Sequence, residues 1–221
     1  MNSLSTQPLA NLLDTLLTQA ETTTVEEICA ATGLSAQALE QQKGCKTAYA
    51  GFYASLKNFA IPVSRRTGEL LYMLARCSNA RVVVEFGTSF GISSLFLAAA
   101  LRDNGGGQLI TSEFEPSKVA RAQQNLQTSG LADLVEIRSG DALQTLGSNL
   151  PQHIDMLLLD GAKALYCDIL KLTETGLRTG ALVIADDAAD SPEYLAYVRD
   201  PANGYMTLDF DGDVNLAVRL G

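Results

Sequence analysis

From Glu85 onward, acidic side chains recur along this chain, each beside the end of a short apolar run. They are Glu85 with the turn Gly87-Thr88-Ser89-Phe90-Gly91, then Glu113, Asp141 behind Gly140, Asp160, and the pair Asp186-Asp187. Carboxylates in such places can accept hydrogen bonds, ligate a hard cation or move protons. Mixed polar residues would be expected of purely structural loops, so the repetition of acids points to a site.

Three chemistries compete for the glycine turn. GTSFG spells G-x-S-x-G, the nucleophile elbow of serine hydrolases, with Ser89 as nucleophile. That serine would need a histidine late in the chain, and the one histidine, His153, falls before the fourth apolar run. His153 reads instead as an exposed loop residue. A dinucleotide loop needs G-x-G-x-x-G, whose middle glycine admits a pyrophosphate, and here Ser89 or Phe90 stands in the way. Glu113 would suit a ribose in that reading too, so the turn alone leaves NAD open. The third reading is a sulfonium cofactor, S-adenosylmethionine (SAM), which has a ribose, an amino-acid tail and no pyrophosphate. It employs Glu85 near the tail, Glu113 on the ribose diol and Asp141 toward the adenine amino group.

The elements that must position these residues follow from periodicity. Runs at 81–85, 108–112, 134–138, 155–159 and 181–185 are short and apolar, as strands covered on both faces are. Helical patterns alternate with them (ISSLFLAAALR, SKVARAQQNLQTSG, ALQTLGSN, a helix around Tyr166 to Thr173), with Gly130 and Gly180 expected at helix ends. This predicts an α/β fold, a Rossmann-like doubly wound sheet. After the helix SPEYLAYVRD, YMTLDF and NLAVRL around the DGDV turn make a C-terminal antiparallel hairpin, bringing the sheet to seven strands. Residues 1–60 form an N-terminal helical extension, a lid or dimer arm, ahead of a main domain at 61–221. Within it, Leu9, Leu12, Leu13, Leu16 and Leu17 make a helical stripe. Thr24 and Glu27 make a capping box before VEEICAATG, Gly33 stops that helix, and LSAQALEQQKG repeats the pattern.

Composition narrows the partners. The chain has 221 residues, 47% hydrophobic and 19% charged, with a net charge of −9. The acidic balance argues against nucleic acid, even for the helix-turn-helix-like VEEICAATGLSAQALEQQ. Apolar runs are too short to cross a membrane and the N-terminus lacks a leader pattern, so a cytoplasmic protein is expected. Cys29, Cys45, Cys77 and Cys167 form no C-x-x-C pair and read as buried thiols.

Taken in order, VVVEFGTSFGISSLFLAAAL, LITSEFEPSKVARAQQNL, VEIRSGDALQTL, DMLLLDGAKALY and ALVIADDAAD resemble the SAM-dependent O-methyltransferases of the catechol and caffeoyl-CoA type. The resemblance spans about residues 60–221, including the helix VSRRTGELLYMLAR. It implies a cofactor site from Glu85, Gly87, Ser89, Phe90, Gly91 and Ser93, with Glu113 on the ribose and Phe114, Asp141, Ala142 and Asp160 completing it. Resemblance further implies a divalent cation such as Mg²⁺ on Asp160, Asp186 and Asp187, with Lys163 as general base beside Asp160. Two positions depart from the family pattern: Asp187 stands where Asn is expected, and Ala162 where many relatives have an aromatic residue. The implied protein is an O-methyltransferase acting on a small hydroxylated molecule, with a homodimer as the default assembly; metal-independent methyl transfer to O or N, or a SAM-binding domain with degraded chemistry, are the alternatives.

Overall fold

In the computed structural model, residues 2–43, 45–46 and 49–221 are described. Helices α1 (Leu9–Glu21), α2 (Val25–Thr32), α3 (Ala36–Lys43), α4 (Tyr49–Ser55) and α5 (Arg65–Cys77) precede the first strand. Strands β1 (Val82–Phe86), β2 (Gln108–Glu113), β3 (Val135–Ser139), β4 (Ile154–Leu159) and β5 (Leu177–Ala185) then alternate with α6 (Ile92–Asp103), α7 (Pro116–Ser129), α8 (Ala142–Thr145) and α9 (Tyr166–Thr173). Helix α10 (Pro192–Arg199) leads to the hairpin of β6 (Tyr205–Phe210) and β7 (Val214–Arg219). All lie in one sheet of order β3-β2-β1-β4-β5-β7-β6. The first five strands are parallel, and β7 pairs antiparallel with both β5 and β6.

Alternation along each strand divides the core. Val83, Leu109, Met156, Leu158 and Ile184 face a layer built from α1, α5, α6 and α7. Val84, Ile110, Leu157, Leu159 and Val183 face α8, α9 and α10. Helix α6 is buried from Ile92 to Leu101, which explains why its sequence is apolar on every side. Each of its large side chains contributes roughly 1.5–3 kcal/mol through removal from water.

The amino-terminal helices form as their sequences direct. Leu9, Leu13, Leu16 and Leu17 are buried on α1 and join the core of α6, with Leu12 half-buried beside them. The Thr24–Glu27 capping box is present, and Gly33 ends α2 in the left-handed region. Gly44, the last residue of the LSAQALEQQKG pattern, lies outside the described residues. Leu39, Phe52 and Leu56 make a separate small cluster linking α3 and α4.

Two expectations need correction. Gly180 does not end a helix: it lies inside β5 at φ +78°, beside a shift of the β4–β5 register between Ile154 and Met156. The polar stretch before residue 181 is thus strand, bent by a glycine that can take this backbone angle. The cysteines are also less buried than expected, since Cys167 alone is buried, Cys29 and Cys45 are half-buried and Cys77 is exposed. His153 is exposed, as anticipated. Among the described residues no helix is long and apolar enough to cross a membrane.

Candidate functional site

Strand order reverses between β1 and β4, and the loops leaving their carboxyl ends part there to open a crevice, the usual ligand position in such sheets. Backbone hydrogen bonds tie the β1 end to its neighbours on both sides, β4 and β2. Asp160 N donates to Phe86 O at 2.9 Å, while Gly87 N and Thr88 N donate to Ser112 O at 3.3 and 3.2 Å. Gly87, at φ +104°, lies so close to the Asp160 backbone that a Cβ would collide with it. The resulting cleft, about 870 Å³ including its open side, is lined by Gly87, Ser89, Glu113, Phe114, Asp160 and Lys163 on the sheet side. Tyr49, Phe52, Tyr53 and Leu56 from α4 and the turn after it, with Ile61, form the opposite wall.

Glu113 is the best-defined acid at this edge. Its Oε2 accepts from Ser89 N at 2.9 Å and its Oε1 from Glu115 N at 3.0 Å. Each carboxylate oxygen retains a lone pair, so the fixed carboxylate can still accept from a vicinal diol. Ser89 adopts φ +48°, and its buried Oγ has no hydrogen-bond partner within the protein. A buried hydroxyl left this way calls for a partner from a ligand or solvent.

Other predicted positions fall around the cleft rather than in it. Glu85 is fully buried beneath the glycine turn, where Ser93 Oγ donates to Oε1 at 2.5 Å and Ser94 Oγ donates to Oε2. Burial pushes its carboxyl up, and the two serine donors partly offset that. Glu85 therefore anchors the start of α6 and does not line the cleft. Ser93 and Phe90 line a smaller adjoining cavity with Ala60–Pro62, and Phe90 also faces Lys118 and Arg121. Gly91 caps α6 at φ +82°. Asp141 caps α8 by accepting from Leu143 N at 3.0 Å, and the adjacent Ala142 is buried.

Some cleft residues lay outside the sequence reading. Lys118, on the first turn of α7, is 5% exposed and reaches the cleft. Burial pulls its ammonium down, opposed by Glu113 and Glu115. Tyr53 carries α4 to the reaction end of the cleft, where burial raises its hydroxyl and the Lys163 charge opposes that. Tyr166, expected as helix packing, does pack edge-on against Phe86 and Tyr194, but its hydroxyl is also committed to the site.

That commitment centres on Lys163. Its Nζ donates to Tyr166 Oη at 2.8 Å, to Asp186 O at 3.2 Å and to Asp160 Oδ1 at 3.3 Å, with Asp187 Oδ2 at 3.4 Å. Tyr166 Oη in turn donates to Asp186 O at 2.8 Å. Burial would lower the lysine, yet the oxygens of Tyr166, Asp160, Asp187 and Asp186 outweigh it and hold the ammonium well above its usual range. Burial raises Asp160 to about 6, against the pull of Lys163. Burial and the Asp160 charge push Asp186 up to about 8.

The expected metal ligands do not converge. Oxygen donors alone would suit a hard cation such as Mg²⁺, but among the described residues no three acidic, histidine or cysteine side chains come together where a metal could be held. Lys163 lies between Asp160 and Asp187 instead.

Asp186 also sets a pH dependence. Its carboxyl titrates at about 8 in the fold against 3.8 ordinarily, so the folded chain binds more protons than the unfolded one between those values. Stability must fall as pH rises through that window. Asp186→Asn removes the loss, with a benefit on the order of a few kcal/mol at pH 8 and little near pH 4. Thermal unfolding of both proteins across this range should show their Tm values diverging as pH rises; parallel curves would rule the assignment out.

Comparison with known proteins fits this arrangement. A family described as a methyltransferase domain matches residues 84–188. A catechol O-methyltransferase of Niastella koreensis is 35% identical over 131 residues, covering 58% of this chain and 58% of its own length. The Sus scrofa catechol O-methyltransferase is 30% identical over 151 residues, covering 65% of this chain and 80% of its own. The O-methyltransferase TomG of Streptomyces achromogenes, involved in tomaymycin synthesis and solved in complex with SAM, shares the fold at a TM-score of 0.65 and 24% identity, over 92% of this chain and 99% of that one. With the first curated relatives the match spans a little under three fifths of their length. The chain belongs to the O-methyltransferase family that includes the catechol O-methyltransferases.

Proposed function

We propose that the protein is a SAM-dependent methyltransferase acting on the hydroxyl of a small molecule. The observation that carries this reading is Glu113, fixed by two backbone N–H groups at the rim of a cleft beside the glycine turn. Its carboxylate would hold the ribose diol, and the partnerless Ser89 hydroxyl would meet a polar group of the same ligand. When bound, SAM supplies a sulfonium methyl, which passes to the acceptor oxygen as the C–S bond breaks and its electron pair stays on sulfur. The protein's part is mainly to orient the acceptor and exclude water.

The acceptor's proton must also leave. Lys163 was the expected base, but its three N–H donors already point at protein oxygens, and an ammonium has no acceptor lone pair. Asp187, half-exposed and lining the cleft, is the carboxylate placed to take the proton. A second form of the reading adds a divalent cation on Asp160, Asp186 and Asp187. Their oxygen chemistry favours it and the position of Lys163 opposes it, so no step is assigned to the ion.

We further propose that the N-terminal extension, residues 1–60, covers the acceptor side of the 61–221 domain through α4, while α1 anchors it in the core. Contact of Tyr49 and Tyr53 with the cleft supports that role. A homodimer is the proposed assembly, which sedimentation would test. Calorimetry with S-adenosylhomocysteine (SAH) and with NAD tests the function: SAH should bind and NAD should not. Binding of NAD without SAH would overturn the reading. A methyl-transfer screen over catechols, hydroxycinnamoyl thioesters and small polar alcohols would then identify the acceptor.

A further inference from the structure

Four oxygens surround Lys163 in the place where the family resemblance puts a divalent ion. Three come from the acidic loops behind β4 and β5: Asp160 Oδ1, the Asp186 carbonyl and Asp187 Oδ2. The fourth is the Tyr166 hydroxyl. The lysine is 6% exposed, so its ammonium is withdrawn from water and its charge is balanced locally. Its three N–H donors match three hydrogen-bond acceptors, leaving Asp187 as a charge partner on the cleft side. Tyr166 locks the arrangement from behind, since it is buried on α9 and binds both Lys163 and the Asp186 carbonyl.

The two departures from the family pattern fit around this centre. A neutral amide at position 187 would offer a ligand oxygen but no countercharge. The carboxylate found there adds an acid against the ammonium, as a buried cation requires. Position 187 is left-handed at φ +50°, a conformation both Asp and Asn accept, so backbone geometry does not dictate the choice. Ala162 lines the cleft beside Lys163, leaving room there that an aromatic side chain would fill.

We propose that Lys163 is the resident cation of this site, filling the place of a divalent ion, so that this family member holds no such ion at its acidic loops. The inference rests on the methyl-transfer reading and refines its cofactor requirement. The ammonium would set the positive potential felt by the acceptor oxygen, acting through space because its own N–H groups are engaged. One fixed charge replaces two, and the site no longer depends on ion supply.

Electron paramagnetic resonance of Mn²⁺ tests this without any acceptor. Wild-type protein saturated with SAH should leave the free Mn²⁺ signal undiminished, and one Mn²⁺ bound per chain would overturn the proposal. Lys163→Ala should bind Mn²⁺ at least tenfold more tightly than wild type, because the carboxylates of Asp160 and Asp187 lose their countercharge. A folded Lys163→Ala protein with no gain would show that the ammonium is not what excludes the ion, and would also overturn it. Since that variant may fail to fold, Asp187→Asn gives a second arm. It retains the Lys163 bonds to Tyr166, Asp160 and the Asp186 carbonyl, so it should still exclude Mn²⁺; a stoichiometric Mn²⁺ site there would count decisively against the inference. SAH calorimetry on each protein separates the two levels. Loss of SAH binding by the wild type would sink the methyltransferase reading, whereas Mn²⁺ binding with SAH affinity intact would sink this inference alone.

Discussion

Glu113→Ala should lower SAH affinity by a hundredfold or more while leaving the helical content unchanged. The carboxylate is proposed to accept from two ribose hydroxyls, and hydrogen bonds to a charged group contribute roughly 1.5–3 kcal/mol each. A second loss adds to the first. Without Glu113, the Ser89 and Glu115 N–H groups lose their acceptor, and the glycine turn loses one of its ties to the end of β2. Glu113→Gln retains the size but presents an amide nitrogen to one of those donors, so it should be nearly as damaging. Calorimetry with SAH, alongside far-ultraviolet circular dichroism, separates binding from folding. An affinity within twofold of wild type would remove Glu113 from the cofactor site.

Gly87→Ala should have the largest effect on stability. The residue lies at φ +104°, where side chains are strained, and its Cβ would run into the Asp160 backbone. Relief requires the β1 and β4 loops to separate, against the hydrogen bond from Asp160 N to Phe86 O. Strain of about 1–3 kcal/mol and overpacking of a similar size combine. For a chain of this length that lowers Tm by roughly 10 °C. SAH binding should fall with it, because Ser89 and Asp160 flank the displaced backbone. Gly51→Ala is the control: Gly51 lies on α4 with nothing within 4 Å of an added Cβ, and should be neutral or slightly stabilising. Equal Tm values for Gly87→Ala and wild type would show that the loops tolerate separation.

Strand positions were legible because parallel strands buried on both faces leave short apolar runs. The first part of β5 was not legible: Arg178, Thr179 and Gly180 look like loop, yet they lie within the strand, in the irregularity between the pairings Ile154–Leu177 and Met156–Leu182. At the site, Glu113 and Asp160 were legible from the rule that strand ends carry function. Glu85 shows how that rule can mislead. It shares strand parity with Val83, which faces α6, so alternation alone directs its carboxylate inward to Ser93 and Ser94. Tyr49 and Tyr53 could not be read, because their place depends on α4 folding back across loops far away in sequence. The hydroxyl of Tyr166 was hidden for another reason: a tyrosine on an apolar helix face reads as packing, and only its position beside Lys163 and the Asp186 carbonyl reveals a polar task.

Tyr49 and Tyr53 of α4 line the wall of the cleft that faces the sheet-side loops. Lys46 adds ion pairs to Asp168 and Glu193 at 3.1 and 2.6 Å. Those ion pairs act as a latch on one wall of a cleft that is open on another side. Salt, which screens exposed ion pairs, should then loosen the latch and speed ligand exchange.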